Sequence, residues 1–366
     1  MKRGTIGRRG WTVLKSGKTG CLWWALGLAV CLAGGCRRNA VKEESFSVMG
    51  TMASVMAGCS DAERCGVYAR RVQSRMKEIE SALSVYNPGS DLSRMNAQAG
   101  KGLVPAEGHL KMTVGLSLVF GAMTHGAFDV TVGPLVKGWG FSGGEKPERL
   151  PSPVMIEERR ALVGYTNLVL SGGKCGLTGK GMLADMGGVA KGYAVDVCSR
   201  DLKQEGATDF VVNLGGNMRC FGKPQAGRSW RVGVRDPLKP SGTIGWLELG
   251  DGMAVATSGN YERFVEIDGK RYAHIIDPRT GWPVQGMAGV TVVAPSAATA
   301  DALSTGLFVL GPEEGMQVLT LFTNCAALFV PDKTEREILV TPGMEKYFHV
   351  DSAFSAQVQR IGRQTH

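Results

Sequence analysis

Nine cysteines and five histidines in 366 residues form no CxxC pair and no Cys/His set at zinc-ligand spacing, which excludes a structural zinc module. The chain has no Walker A loop and no GxGxxG after a first strand, so neither a P-loop nucleotidase nor a Rossmann dehydrogenase is written in it. It has no internal repeat and no collagen-like or low-complexity tract. What it has in excess is glycine, 52 residues gathered in short clusters between apolar runs, and this predicts many tight turns. A hydrophobic content of 43% is ample for a packed core in a chain of this length.

Acidic charge is missing from the N-terminus, where Lys2, Arg3, Arg8, Arg9, Lys15 and Lys18 stand alone before the first apolar run. Setting those six aside leaves +3 of the net +9, an ordinary balance that gives no case for nucleic-acid binding. The basic stretch, the apolar run Leu22 to Ala33 and the small residues Gly34 and Gly35 follow the order of a secretory signal. That run is too short for a comfortable transmembrane helix. The LAGGC segment resembles a bacterial lipobox and makes Cys36 the expected lipidated N-terminus, although Ala33 stands where a large aliphatic residue is usual. A plain cleaved signal and an uncleaved anchor are the other readings. All three export the domain. After processing Cys59, Cys65, Cys175, Cys198, Cys220 and Cys325 remain, and their irregular spacing reads mostly as small buried residues without a disulfide framework.

Hydrophobic periodicity predicts a first strand over Phe46 to Ala57 and a helix over Asp61 to Leu83. After a break at Asn87, Pro88 and Gly89, a second helix is expected over Leu110 to Thr124, then a Gly/Pro-rich loop and a polar surface stretch from Glu145 to Pro153. A short hairpin over 168–178 leads to a helix over Ala190 to Gln204, with Gly206 past its end. Strands follow at Phe210 to Asn213, Trp230 to Arg235, Thr243 to Leu249, Ala254 to Thr257, Phe264 to Ile267 and Gly289 to Ala294, with a helix over Ala298 to Leu310. The order is not a βαβ alternation and predicts an α+β fold, antiparallel sheet with packed helices. The expected division is a signal over 1–35, a linker over 36–45, one domain over 46–345 and a tail over 346–366.

Four clusters carry the polar residues that chemistry needs. In Asp185-Met186-Gly187-Gly188-Val189-Ala190-Lys191-Gly192, paired glycines precede a helix and a lysine sits in its first turn, suited to an anion or equally to tight helix packing. Asn213-Leu214-Gly215-Gly216-Asn217 allows close approach of a ligand or of another backbone segment. Thr257 to Arg263 and His274 to Gly281 gather hydroxyls, a histidine, carboxylates and arginines, although DPRTG alone is an ordinary turn. Asp301 and Thr305 share one helix face, where hard oxygens suit Mg²⁺; on spacing alone the plainer reading is a helix start with Thr305 back-bonded.

In this order, together with MGT at Met49 to Thr51, SVYNPGSDLSRMN from Ser84, GAFDVTVGPLVKGWGF from Gly126, WRVGVRDP from Trp230 and ADALSTGLFVLG from Ala300, the motifs resemble the ApbE family of FAD:protein FMN transferases. The resemblance runs from about Val48 to Gly311 and implies a single ApbE-like domain. Carried over by position, it implies FAD contacts at Met49, Tyr86, Ala127, Phe128, Asp129, Asp185, Lys191 and Ile275. It implies a magnesium site made by the Asp301 and Thr305 side chains with the carbonyl of Gly188, a position often alanine in relatives. His274 is the expected proton acceptor, on the expectation of a near-neutral pKa. The implied reaction moves FMN from FAD to a Thr/Ser hydroxyl of an exported or membrane redox protein and releases AMP, with the enzyme lipid-anchored on the periplasmic side of the inner membrane. An FAD pyrophosphatase and a non-catalytic FAD-binding lipoprotein are the alternatives.

Overall fold

Strand alternation builds a hairpin at the start of the folded chain, where β1 (Ala40–Val48) pairs antiparallel with β2 (Thr51–Cys59) and Val48 lies opposite Thr51. The single strand expected over Phe46 to Ala57 is thus two. Met49 and Gly50 both adopt positive φ, 50° and 68°, and close the two-residue turn that such a hairpin requires. The computed structural model describes residues 40–362 apart from 60–61, 143–146, 148, 225–227 and 240, so the signal segment and Cys36 lie outside it.

From β2 the main sheet steps antiparallel through β6 (Phe210–Leu214), β7 (Asn217–Phe221), β10 (Ala254–Gly259), β13 (Met287–Ala294), β14 (Ala326–Pro331) and β15 (Ile338–Val340). β17 (Val358–Arg360) adds a ninth strand, parallel to β15. Successive side chains point to opposite faces, so Phe210, Val212 and Leu214 enter one core and Val211 the other. The first face is covered by α1 (Ala62–Leu83), α6 (Ala190–Gln204) and α7 (Ala297–Leu319). The second is covered by a small sheet of β8 (Trp230–Arg235), β9 (Thr243–Leu249) and β16 (Phe348–Val350), which buries Trp230, Ile244 and Leu247. α2 (Asp91–Ala97), α3 (Gly108–Met123) and the sheet of β3 (Val104–Pro105), β5 (Lys174–Leu177) and β4 (Leu168–Ser171) complete the first side. This is the α+β architecture that the order of elements implies.

A third core lies under the 277–281 loop. Leu135 and Trp139, from α4 (Gly133–Gly138) and its C-terminal cap, meet Ile156 of α5 (Pro153–Arg160) and Val265, Ile267 and Tyr272 of the hairpin β11 (Phe264–Ile267) and β12 (Lys270–Ala273). Trp139 Nε1 donates to the Gly281 carbonyl at 2.9 Å, which pins the loop to that core.

Four expectations are corrected. Cys59 and Cys65 form a disulfide, S–S 2.11 Å, because the end of β2 and the first turns of α1 bring their Cα atoms to 5.8 Å; Cys175, Cys198, Cys220 and Cys325 are free. Residues 40–45, expected as linker, are paired along β2. The expected tail carries β16 and β17, held because Phe348, Phe354 and Val358 pack on the second core. α7 runs past Leu310, but Gly311 leaves helical geometry (φ 71°, ψ −176°) just before Pro312, so the expected helix end is a sharp kink.

Candidate active site

The site is organised by the crossing of two helix starts. A Cβ at Gly192, in the first turn of α6, would lie 2.2 Å from the Ala297 carbonyl and 2.7 Å from Asp301 Cβ, so only glycine lets α6 and α7 approach this closely. The approach puts Asp301 Oδ2 2.8 Å from the Gly192 N–H, which donates to it. Asp301 is 3% exposed, and burial raises its pKa; Lys191 and the Gly192 amide oppose the rise. Its second oxygen, Oδ1, has Lys191 Nζ at 3.4 Å, while that ammonium donates to the Gly187 carbonyl at 2.7 Å. Lys191 therefore spans the glycine turn and the buried carboxylate.

The other helix residues close in on the same point. Thr305 Oγ1 donates to the Asp301 carbonyl at 3.2 Å and sits 3.3 Å from Ser258 Oγ, which is itself 3.0 Å from Ser304 Oγ. A Cβ at Gly188 would stand 3.5 Å from Thr305 Oγ1 and 3.0 Å from the Phe128 ring edge. Gly188, Asp301 and Thr305, far apart in the chain, are neighbours in space. Gly192 and Ser258 belong to the motifs the sequence singles out, yet spacing gave neither a role there; the helix crossing and the β10–α7 contact supply it.

The Gly126 to Asp129 stretch backs this wall. Phe128 N–H donates to Thr124 Oγ1 at 2.9 Å, and the ring is buried, as is Ala127. Asp129 accepts from the Thr131 amide, the Thr131 hydroxyl and the Tyr165 amide, each at 2.7 Å; burial raises its pKa against these three bonds. The side chains of Phe128 and Asp129 thus hold the loop together. Asp185 Oδ1 accepts from the Gly187 N–H at 2.9 Å and shapes the glycine turn, while its own N–H donates to the Val130 carbonyl at 2.7 Å.

The opposite wall is made of turns. The Met49–Gly50 turn lies beside Arg263, whose Nη2 would be 3.7 Å from a Cβ at Gly50, and Thr51 packs under Gly215. His274 Nδ1 is 3.2 Å from the Arg263 carbonyl; a carbonyl only accepts, so Nδ1 carries the proton and Nε2 keeps a lone pair. Its ring meets Phe141 edge to face at 6.5 Å. Burial, then the charges of Arg263 and Lys191, push the His274 pKa down to about 4, well below the near-neutral value expected. Ile275 beside it is buried and its carbonyl accepts from the Val284 N–H at 2.9 Å.

Glu262, part of the Thr257 to Arg263 cluster but given no role of its own by spacing, is reached by solvent yet crowded by the cleft walls. That crowding raises its pKa to about 7, against the charges of Lys191, Arg235 and Arg263 and with that of Asp301. Tyr86 stands apart, 65% exposed in the loop between α1 and α2, and among the described residues no hydrogen bond or ring contact joins it to the glycine turn.

No group of three or more His, Cys, Asp or Glu side chains suited to a metal lies among the described residues. A cation at this point would therefore meet one carboxylate with hydroxyl and carbonyl oxygens. Such hard donors fit Mg²⁺, which is commonly held by one or two carboxylates and keeps several waters. The residues present fit that ion: Asp301 Oδ1 lacks a short hydrogen bond, and Thr305 and Gly188 are adjacent to each other.

The model of the ApbE family matches residues 49–329. The FAD:protein FMN transferase of Escherichia coli (strain K12) is 35% identical over 276 residues, 74% of this chain and 79% of the relative. That of Vibrio cholerae serotype O1 is 34% identical over 303 residues, covering 81% and 90%. Among solved structures, the flavin transferase ApbE from Vibrio cholerae superimposes with a TM-score of 0.74 at 29% identity, covering 84% of this chain and 99% of that one. The apo flavinyl transferase ApbE of Pseudomonas stutzeri gives 0.73 at 31% identity, covering 87% and 97%.

Proposed function

The chain belongs to the ApbE family, and on that membership we propose that it is an FAD:protein FMN transferase, a transferase that moves FMN from FAD to a threonine or serine hydroxyl of an exported or membrane redox protein and releases AMP. The observation that carries the reading is the meeting of Gly188, Lys191, Asp301 and Thr305 where two helices cross.

Asp301, Thr305 and the Gly188 carbonyl would hold Mg²⁺, which when bound supplies Lewis-acid neutralisation of a pyrophosphate. Lys191 faces the same substrate oxygens, held before reaction by the Gly187 carbonyl and so costing little reorganisation. His274 Nε2 takes the proton of the acceptor hydroxyl as that oxygen bonds to the FMN-side phosphorus. The bond from that phosphorus to the bridging oxygen breaks, and AMP departs with the bridging oxygen. Met49, Tyr86, the 127–129 loop, Asp185 and Ile275 are assigned to FAD, with Tyr86 offering an exposed aromatic face to a ring of the cofactor.

We assign the protein to the periplasmic side of the membrane, anchored through Cys36. The Cys59–Cys65 disulfide supports an oxidising compartment. The decisive experiment is mass spectrometry of a purified acceptor incubated with the enzyme, FAD and Mg²⁺, beside an Asp301→Ala control. A mass gain of one FMN that the control lacks establishes the transfer. FMN and AMP free in solution with the acceptor unmodified would instead identify a pyrophosphatase, and intact bound FAD a binding protein.

A further inference from the structure

α6 sorts its charges to two sides. Asp201 and Glu205 turn to α1, where Arg75 Nε reaches Asp201 at 2.7 Å and Arg71 Nε reaches Glu205 at 2.6 Å. Arg200 and Lys203, from the same turns, fall elsewhere; with Gln204, Arg219 and Phe221 they line an open surface pocket of about 380 Å³. Among the described residues neither cation has a carboxylate within ion-pair distance.

The rest of the pocket is held in place. Arg219 donates to Asp196 at 2.8 Å, to the Pro295 carbonyl at 2.9 Å and to the Gly252 carbonyl at 3.1 Å, which leaves one N–H free on each Nη. Asp196 is in turn bound by the amides of Ala297 and Ala298, each at 2.9 Å, so its charge is already engaged. Phe221 is 6% exposed and forms an apolar floor, with Lys203 Nζ 4.5 Å and the Arg219 guanidinium 5.1 Å from its ring centre. Cations in the last turns of a helix also complement its dipole. That role needs no pocket, no floor and no preset guanidinium from another strand.

We propose that this pocket is an anion site that takes the phosphate group of a small phosphate monoester, inorganic phosphate being its smallest occupant. A planar guanidinium with free N–H groups on both Nη atoms matches two oxygens of such a group, and the two unpaired cations supply the charge. The site is separate from the cleft: Arg200 lies nine residues along α6 from Lys191, about 14 Å at the helical rise. It does not rest on the transferase reading.

Isothermal titration calorimetry of the full chain with inorganic phosphate and with glycerol 3-phosphate, a monoester with no adenine for the cleft, tests it, beside the double variant Arg200→Gln/Lys203→Gln and a Lys191→Ala protein that alters only the cleft. Both ligands should bind with affinities within a few-fold of each other, the double variant should weaken both at least tenfold, and Lys191→Ala should leave phosphate binding unchanged. The single variant Lys203→Glu, with a melting temperature matched to the wild type, should give the same loss. Absence of binding, binding that survives the double variant, or phosphate binding lost in Lys191→Ala would overturn the proposal. So would a phosphate-free hexaglutamate peptide that binds more tightly than phosphate, since the pocket would then be a protein-docking surface.

Discussion

The two walls of the cleft are built on different principles. One is a helix crossing in which Gly192, Asp301 and Ala297 are locked at near-contact distances and Asp301 is almost fully buried. The other is built around the Met49–Gly50 turn and the two ends of the β11–β12 hairpin, where Met49, Arg263 and His274 are partly or largely exposed. Charge stabilisation depends on fixed geometry, so the groups assigned to the pyrophosphate sit on the packed wall. A ring system and a protein acceptor must enter and leave, and the turn-built wall leaves room for that.

The contrast makes graded predictions. Asp301→Asn removes the carboxylate that faces Lys191 on the packed wall and should lower the transfer rate roughly 10²–10³-fold while the fold is kept, read by turnover and circular dichroism. Omission of Mg²⁺ with a chelator should have a comparable effect on the wild type. Gly192→Ala forces a Cβ onto the Ala297 carbonyl. It should cost about 1–3 kcal/mol in denaturant unfolding and roughly 10²-fold in rate, because neither backbone can yield. If it is neutral, the packed wall is softer than its distances imply.

On the turn-built wall, His274→Ala should lower the rate about 10²-fold with FAD binding unchanged. The wild type should show no His274 inflection near neutral pH, since the folded group titrates at about 4. The same depression has a stability sign. Between pH 6.5 and about 4 the unfolded histidine binds a proton that the folded one refuses, so the contribution is complete above 6.5 and is lost as pH falls through that window. His274→Gln should flatten that slope in unfolding titrations. Smaller still, paired Cys59→Ser and Cys65→Ser should lower stability by about 2 kcal/mol, the scale for so short a loop, without changing FAD affinity.

Much of this is legible in the sequence alone. Period 3.6 over Ala190 to Gln204 and strand patterns at Trp230 to Arg235, Thr243 to Leu249 and Phe264 to Ile267 match the observed bounds. The Met49–Gly50 turn was missed because a methionine at positive φ carries no turn signature. Asn217–Phe221 was missed because its glycine-rich approach reads as loop, and β16 and β17 because three-residue strands gain their order from the sheets they join. The Cys59–Cys65 pair escaped because bonding depends on Cα separation, which spacing does not give.

Sequence by itself determined the local order: where helices start, where glycines permit turns, and which residue types could serve an anion or a hard cation. Tertiary structure alone decided that Gly188, Asp301 and Thr305 meet, that Asp129 is bonded inward, and that His274 titrates low. Propensity and periodicity act over a few residues, whereas burial, helix crossing and the field of distant charges belong to the packed chain.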